Sequence, residues 1–429
     1  MLIEFSVGNY RSFKEIVTFS MVAADLEDPN NGLENSNIFA VDEELKLLKS
    51  SAIYGANASG KSNLAKALEF MKWFAVYSFT EAPSTDEIDV EPFRLSTETE
   101  GEPSHFELVF VIDGTKYRYG FEATPDRVTS EWLFHVPKLR ETKLFERNLD
   151  VIKSTKKYGA NGIEKFTRSN ALFLSVCAQF NLSIAELVLQ YMTDKINIIS
   201  GLQDRDYFDY TVQCMLNNEN RSDIVQLIKR LDLGINDIQV EKKYFTVNTP
   251  QDEVSDTFQR WLDSLMQEKN VNSIKTIHRK FDDRGNYKSV ERFDLEHHES
   301  EGTQKIFALA GILIAAFKEG KVLIVDEFDA RLHPLISLEI AQMFNSNETN
   351  MNNGQLIFMT HDTNLLNKET FRRDQIWFTE KDRYGATDLY SLAEYKVGDD
   401  MRFEHNYLKG RYGAIPYLGS LKDAIDFNG

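Results

Sequence analysis

Apolar and polar positions alternate through residues 1 to 22, at Leu2, Ile3, Phe5 and Val7 before a break at Gly8-Asn9, and at Ile16, Val17 and Phe19 after it. This period of two predicts an antiparallel hairpin with Asn9-Tyr10-Arg11-Ser12-Phe13 at its turn. Leu47 to Tyr54 then reads as a short buried strand, and Leu64, Ala67, Leu68, Met71 and Phe74 recur at helical spacing. Alternation returns at Phe106, Leu108, Phe110 and Ile112, turns at Asp113-Gly114, and continues at Tyr117, Tyr119 and Phe121, which predicts a second hairpin. With Phe93-Arg94-Leu95 before it and Trp132 to Val136 after it, an antiparallel β lobe is expected over about 90–150.

From Ser169 the pattern turns helical, through Ala171 to Ala178, Ile184 to Met192, Ile224 to Leu231 and Val254 to Met266, without the sustained heptads of a long coiled coil. Ile274 to Arg279 and Tyr287 to Phe293 flank Asp282-Asp283-Arg284-Gly285-Asn286, a hairpin expected to return the chain to the main sheet. An apolar helix over Ile306 to Phe317, strands at Lys321 to Asp326 and Gln355 to Thr360, and a last strand pair within 383–397 complete the pattern. The order is that of an α/β protein.

Three spacings carry chemistry. Gly55-Ala56-Asn57-Ala58-Ser59-Gly60-Lys61-Ser62 stands between a predicted strand and a predicted helix, as a P-loop does. There the glycines let backbone N–H groups face phosphates, Lys61 reaches the outer phosphates and Ser62 offers its hydroxyl to Mg²⁺. The apolar run at Val322 ends in Asp326-Glu327, as a buried parallel strand presents acids at its edge; Asp326 suits water-mediated Mg²⁺ binding and Glu327 the polarising of an attacking water. His361 ends the next buried strand, placed either to meet a γ-phosphate or to cap a turn. Ser300 is an N-cap candidate and Gly302 permits close approach, so the helix after them either faces a phosphate or is an ordinary capped core helix. Tyr10 and Arg11 either lie beside a nucleotide or are plain surface.

Composition narrows the picture. The net charge of −18 and pI near 5.0 exclude a general nucleic-acid coating protein, though not a local basic groove. Cys177 and Cys214 have no metal spacing and read as small buried thiols in a reducing cytoplasm. The start lacks the pattern of a signal peptide, and the longest apolar run falls short of the ~20 residues of a membrane span. A soluble cytoplasmic protein is expected.

In order, the P-loop, Gln179, Ser300-Glu301-Gly302, Asp326-Glu327 and His361 resemble an ABC-type ATPase head. Asn9 to Phe13 and Gly55 to Asn63 are similar to the SMC, RecF and OLD branch. Glu299 to Lys305, Asp326 to Pro334 and the Arg411 to Pro416 ending resemble a group of stand-alone ATP-binding proteins often labelled AAA ATPases, which includes AbiL-type and PARIS-type antiphage ATPases. The resemblance implies a head with a mixed sheet and no long coiled coil, divided as an N-terminal half (1–168) with the P-loop and β lobe, an inserted helical lobe (169–285) and a C-terminal half (286–429). It implies phosphate binding by Gly55 to Asn63 and Mg²⁺ contacts from Ser62, Asp326 and Gln179. Glu327 becomes the general base and His361 the γ-phosphate sensor. Ser300 and Gly302 would complete the site of a second copy, with Asp329 in the adjoining interface loop; Glu301 departs from the glycine of many such loops. Partners then expected are a homodimer or higher homo-oligomer, a separate nuclease or toxin effector and a viral trigger protein, but no membrane. The alternatives are a RecF-like repair ATPase that clamps DNA and a slow nucleotide-gated scaffold. No carboxylate cluster follows Pro416 of the kind a fused nuclease would contribute.

Overall fold

The parallel strands expected around the P-loop pair edge to edge in a computed structural model, which describes residues 1–26, 31–80, 86–137, 140–231, 234–243, 271–395 and 402–416. The helical stretch expected at Val254 to Met266 lies outside these residues. The chain divides into two units, the first comprising Met1–Leu202, Ala316–Ala330 and Ser337–Gly429, and the second Gln203–Ala315 and Arg331–Ile336.

The first unit holds a six-stranded sheet in the order β11 (Ile196–Ser200), β15 (Val322–Asp326), β16 (Gln355–Met359), β5 (Ser50–Gly55), β17 (Ile376–Lys381), β18 (Thr387–Ser391). Every pair is parallel except β17 with β18. The central strands β5 and β16 are buried along their whole length, as parallel strands covered on both faces are. Their register sets Ser200 opposite Asp326, Met359 opposite Ile53 and Thr379 opposite Gly55, so all these chain ends emerge at one carboxyl edge. In open α/β sheets this edge is where ligands bind.

A second, antiparallel sheet runs β10 (Val151–Ser154), β9 (Thr142–Asn148), β8 (Val128–Val136), β7 (Thr115–Ala123), β6 (Ser104–Ile112), β1 (Leu2–Gly8), β2 (Val17–Ser20). Both predicted hairpins form, but they are one sheet, because β1 pairs with β6 across about a hundred residues of chain. Helix α2 (Lys61–Tyr77) joins the two sheets. Its Phe70 and Phe74 pack on Phe106 and Phe121 at ring separations of 5.1 and 5.4 Å, while Leu64, Ala67, Leu68 and Met71 share one core with Ile324, Ile357 and Met359. A small hairpin of β3 (Ile38–Ala40) and β4 (Lys46–Leu48) follows helix α1 (Asn31–Ser36), and helices α3 (Phe173–Gln179), α4 (Ser183–Gln190), α9 (Pro334–Asn345) and α10 (Phe403–Leu408) complete the unit.

The second unit packs α5 (Arg205–Leu216) and α6 (Arg221–Arg230) with a three-stranded antiparallel sheet of β12 (Asp237–Lys243), β13 (Val271–Phe281) and β14 (Tyr287–Asp294). Helices α7 (Leu295–His298) and α8 (Glu301–Glu319) follow. Two expectations change here. The division falls after Leu202, not at 168, because Ile196–Ser200 is a strand of the parallel sheet. The hairpin at Asp282 to Asn286 pairs with β12 in a sheet of its own instead of rejoining the main one. The fold class is α/β as expected, without a long coiled coil among the described residues, and no single described helix is long and apolar enough to cross a membrane.

The β lobe is pinned to α3 by a buried charge. Glu131 on β8 accepts N–H bonds from Phe173 (2.6 Å) and Leu174 (2.9 Å) at the start of α3, and the Tyr119 hydroxyl (3.1 Å). Arg147, buried 3.9 Å from it, donates to the Ala171 and Leu149 carbonyls at 2.7 and 2.8 Å. Burial pushes the Glu131 carboxyl up, against the pull of Arg147 and these donors. Glu131→Ala should therefore cost about 3–5 kcal/mol, because it strands the Arg147 charge and two amides. Urea unfolding followed by tryptophan fluorescence should show the loss, and a smaller one for the isosteric Glu131→Gln.

Candidate active site

At the carboxyl edge of the parallel sheet, β5 gives way to the loop Ala56 to Gly60 and then to α2. Close packing dictates both flanking glycines. A Cβ on Gly55 would collide with Ser59 and Thr379, and one on Gly60, which also sits at φ +116°, would collide with Thr387. The same two threonines brace the loop: Thr379 Oγ1 lies 2.6 Å from Ser59 Oγ, and Thr387 Oγ1 donates to the Ser59 carbonyl at 2.8 Å. Asn63 Nδ2 donates to Ser12 Oγ (2.8 Å), tying the helix to the N-terminal turn. No side chain caps the start of α2, so the first-turn amides and the positive end of the helix dipole face the loop's concavity.

A cleft of about 510 Å³ opens over this loop, lined by Asn57 to Asn63, Asp326, Glu327, Met359, Thr360, His361 and Lys381. Its floor is the strand order itself: β15 delivers the carboxylate pair, β16 between β15 and β5 delivers His361, and β17 delivers Lys381. Lys61 is 7 % exposed and donates to the Gly55 and Ala56 carbonyls at 2.8 and 3.1 Å. Burial pushes its ammonium down to about 8, opposed by the nearby Asp326, Asp329 and Glu327 carboxylates. Asp326 Oδ1 is buried without a hydrogen-bond partner, while Glu327 stands in the left-handed region at φ +53°. His361 is held below its usual value by partial burial and by Lys61. Behind it, Asp329 Oδ1 accepts from Thr360 Oγ1 (2.7 Å) and the His361 N–H (3.4 Å), fixing the loop that carries the imidazole.

The residues fit a polyphosphate and a divalent cation. A cradle without room for Cβ atoms, uncapped helical amides and a buried lysine suit phosphates. The partnerless Asp326 oxygen beside Ser62 supplies the hard oxygen donor that Mg²⁺ takes.

Other expected residues lie elsewhere. Gln179 is exposed at the end of α3 and does not line the cleft. A break after an apolar helix is common, and the parallel strand that ends beside Asp326 is β11 instead. Tyr10 is buried against Phe70 and Phe106, and Arg11 pairs with Glu91 at 3.0 Å; both line a separate cavity along α2. Ser300 and Gly302 belong to the second unit, where Ser300 Oγ accepts the Thr303 N–H (3.1 Å) and caps α8. The neighbouring Glu299 is anchored to β13 through His278 Nε2 (2.7 Å) and Thr276.

Lys381, Thr379 and Thr387 went unnoticed in the sequence, since only strand register brings them to the loop. The C-terminal Arg411 to Pro416 loop also gains a role. Tyr390 and Tyr395 hydroxyls donate to the Tyr412 carbonyl (2.8 and 3.1 Å), Tyr412 stacks on Phe378, and Tyr407 packs on Tyr54 at the end of the P-loop strand.

Fold and cleft together define an α/β P-loop protein whose cleft suits a nucleotide's phosphates. Residues 50–175 and 188–367 match the family described as "AAA domain, putative AbiEii toxin, Type IV TA system", and the chain belongs to that family. No curated protein matches it. Among solved structures it is similar to the SMC head domain from Thermotoga maritima, at 14 % identity and a TM-score of 0.40, covering 92 % of this chain and 99 % of that one. An SMC head bound to the C-terminal winged-helix domain of ScpA gives 14 % identity and 0.44, covering 91 % and 97 %. The RecF–ATP recombination mediator gives 13 % and 0.34, covering 91 % and 99 %.

The position of Lys61 has a pH signature. Phosphate binds the protonated ammonium and raises its pKa, so ATP affinity should be full below about pH 8 and fall up to tenfold per unit above it. Equilibrium dialysis with labelled ATP from about pH 7 to about pH 10 should show this fall, and Lys61→Arg, charged throughout, should flatten it.

Proposed function

We propose that the protein hydrolyses ATP, and that ATP-bound copies assemble and thereby control a separate effector protein. The reading is carried by the convergence of Lys61, Asp326, Glu327 and His361 on one cleft at the carboxyl edge of the sheet. Lys61 and the amides of Gly60 to Ser62 hold the phosphates, and Ser62 with Asp326 holds Mg²⁺, which when bound neutralises charge on the phosphate oxygens. Glu327 accepts a proton from water as its oxygen bonds to the γ-phosphorus; the bond from that phosphorus to the bridging oxygen breaks, and ADP departs with its electron pair. His361 donates to a γ-phosphate oxygen, with Asp329 holding its loop. Ser300 and Gly302, at the capped start of α8, meet the γ-phosphate of a second copy.

Effector control, a viral trigger and antiphage defence rest on the family, whose description names a toxin of a toxin–antitoxin system. Phage plating on cells carrying the gene with its native neighbours tests this part. Wild type should lower plaque counts and Lys61→Ala should not; equal counts end the defence reading, and ATP-dependent, salt-sensitive DNA retention would put a DNA-clamping ATPase in its place.

Purified Glu327→Gln should bind ATP, lose turnover by about 10²–10⁴-fold and accumulate ATP-bound oligomers in sedimentation. Unchanged hydrolysis sinks the assignment of the base. Lys61→Ala should abolish ATP binding, whereas Ser300→Arg should keep binding and lose both assembly and turnover; equal loss of binding in the two would end the composite-site reading.

A further inference from the structure

Within the second unit one carboxylate ties together three segments that are far apart in the chain. Asp204 directly follows Gln203 and opens α5, yet its side chain does not cap that helix. Its Oδ1 accepts from Lys305 Nζ at 2.9 Å and from the Tyr207 hydroxyl, and its Oδ2 accepts from Arg331 NH2 at 2.5 Å. Lys305 is fully buried on α8, five residues beyond Ser300, and its ammonium also donates to the Tyr207 hydroxyl at 2.5 Å, 5.0 Å from the centre of that ring. Arg331 lies two residues beyond Asp329, at φ +63°, and its carbonyl sits 3.0 Å from the position a Cβ on Gly302 would take. Gly302 and the Arg331 turn are thus in backbone contact, and the Asp204 carboxylate locks that contact from the side.

We infer that Asp204 is a positioning residue that clamps the start of α8 against the Arg331 turn, so that Ser300 and Gly302 are presented in one fixed geometry. It touches neither nucleotide nor metal: neither it nor Lys305 nor Arg331 lines the ATP cleft. A buried ammonium needs a compensating charge, and Asp204 supplies it to Lys305 while holding Arg331. Loss of the negative charge releases both cations and lets the α8 start and the turn part. The clamp serves turnover and assembly, not binding to a copy's own P-loop, and in this it rests on the composite-site reading above.

The test uses full-length protein carrying Asp204→Asn, and the double variant Asp204→Asn with Lys305→Met, which removes both buried charges and keeps the volume filled. Removing such a pair together is commonly neutral or stabilising, so the double variant remains informative if the single one fails to fold. In the folded variants kcat should drop about 10²-fold and ATP-dependent oligomers should vanish, while the dissociation constant for ATP stays within about twofold. Amide exchange in nucleotide-free protein should rise at Ser300 to Lys305 and at Arg331 to His333. Because the two changes act through one network, the double variant should lose no more turnover than the single. Unchanged exchange in the double variant overturns the clamp whatever the wild type does with ATP, as does wild-type kcat in either variant. Wild-type protein that binds ATP without hydrolysing it overturns the ATPase reading instead, and the exchange result still decides the clamp.

Discussion

The register of five parallel strands governs the chemistry of this protein. With Ser200 opposite Asp326, Val325 opposite Phe358, Met359 opposite Ile53 and Ile53 opposite Trp377, the ends of β11, β15, β16, β5 and β17 are level. Since neighbouring strands lie about 4.8 Å apart, a carboxylate ending β15 and a histidine ending β16 come within a phosphate chain's length of a loop ending β5. A one-residue slip would turn Asp326 to the opposite face and dissolve the site. Val322 to Val325 and Ile357 are buried on both faces of the sheet, so a slip that drew Lys321 or Asp326 into that apolar stretch is opposed.

Several side chains outside the motif make the loop rigid. Gly55 and Gly60 leave space only for Thr379 and Thr387, and these threonines bond back to Ser59. β17 and β18 therefore serve the P-loop as directly as α2 does. Their far side is covered in turn by Tyr407 and Tyr412, stacked on Phe378. The aromatic, glycine-rich ending thus stiffens the strand that carries Thr379, and its turn at Gly413, with φ +69°, brings the Tyr412 carbonyl to two tyrosine hydroxyls.

What could be read from the sequence was what is local. The P-loop announces itself by spacing, Asp326-Glu327 by an apolar run with charged ends, and α2 and α8 by helical period, and each stands where expected. What escaped is set by pairing across long stretches of chain. β11 is five residues with Asn197 and Ser200 among its isoleucines, too short and too polar to stand out from the helical stretches around it, and its strand pairing puts the boundary after Leu202. The union of β1 with β6 and the arrival of Lys381 at the cleft depend on strand neighbours that no local period encodes.

Charge supplies the remaining logic. A chain of net charge −18 must hold a polyanionic ligand beside Asp326, Glu327 and Asp329, which repel it. Lys61, Lys381 and the amino end of α2 offset part of that repulsion, and partial burial already weakens the hold of Lys61 on its proton. Two cations and a helix dipole do not balance three carboxylates and a triphosphate. A divalent cation at Asp326, whose Oδ1 has no hydrogen-bond partner, would supply the difference. Phosphate and metal are then one electrostatic problem: the carboxylates that repel a bare polyphosphate also draw the cation that offsets it.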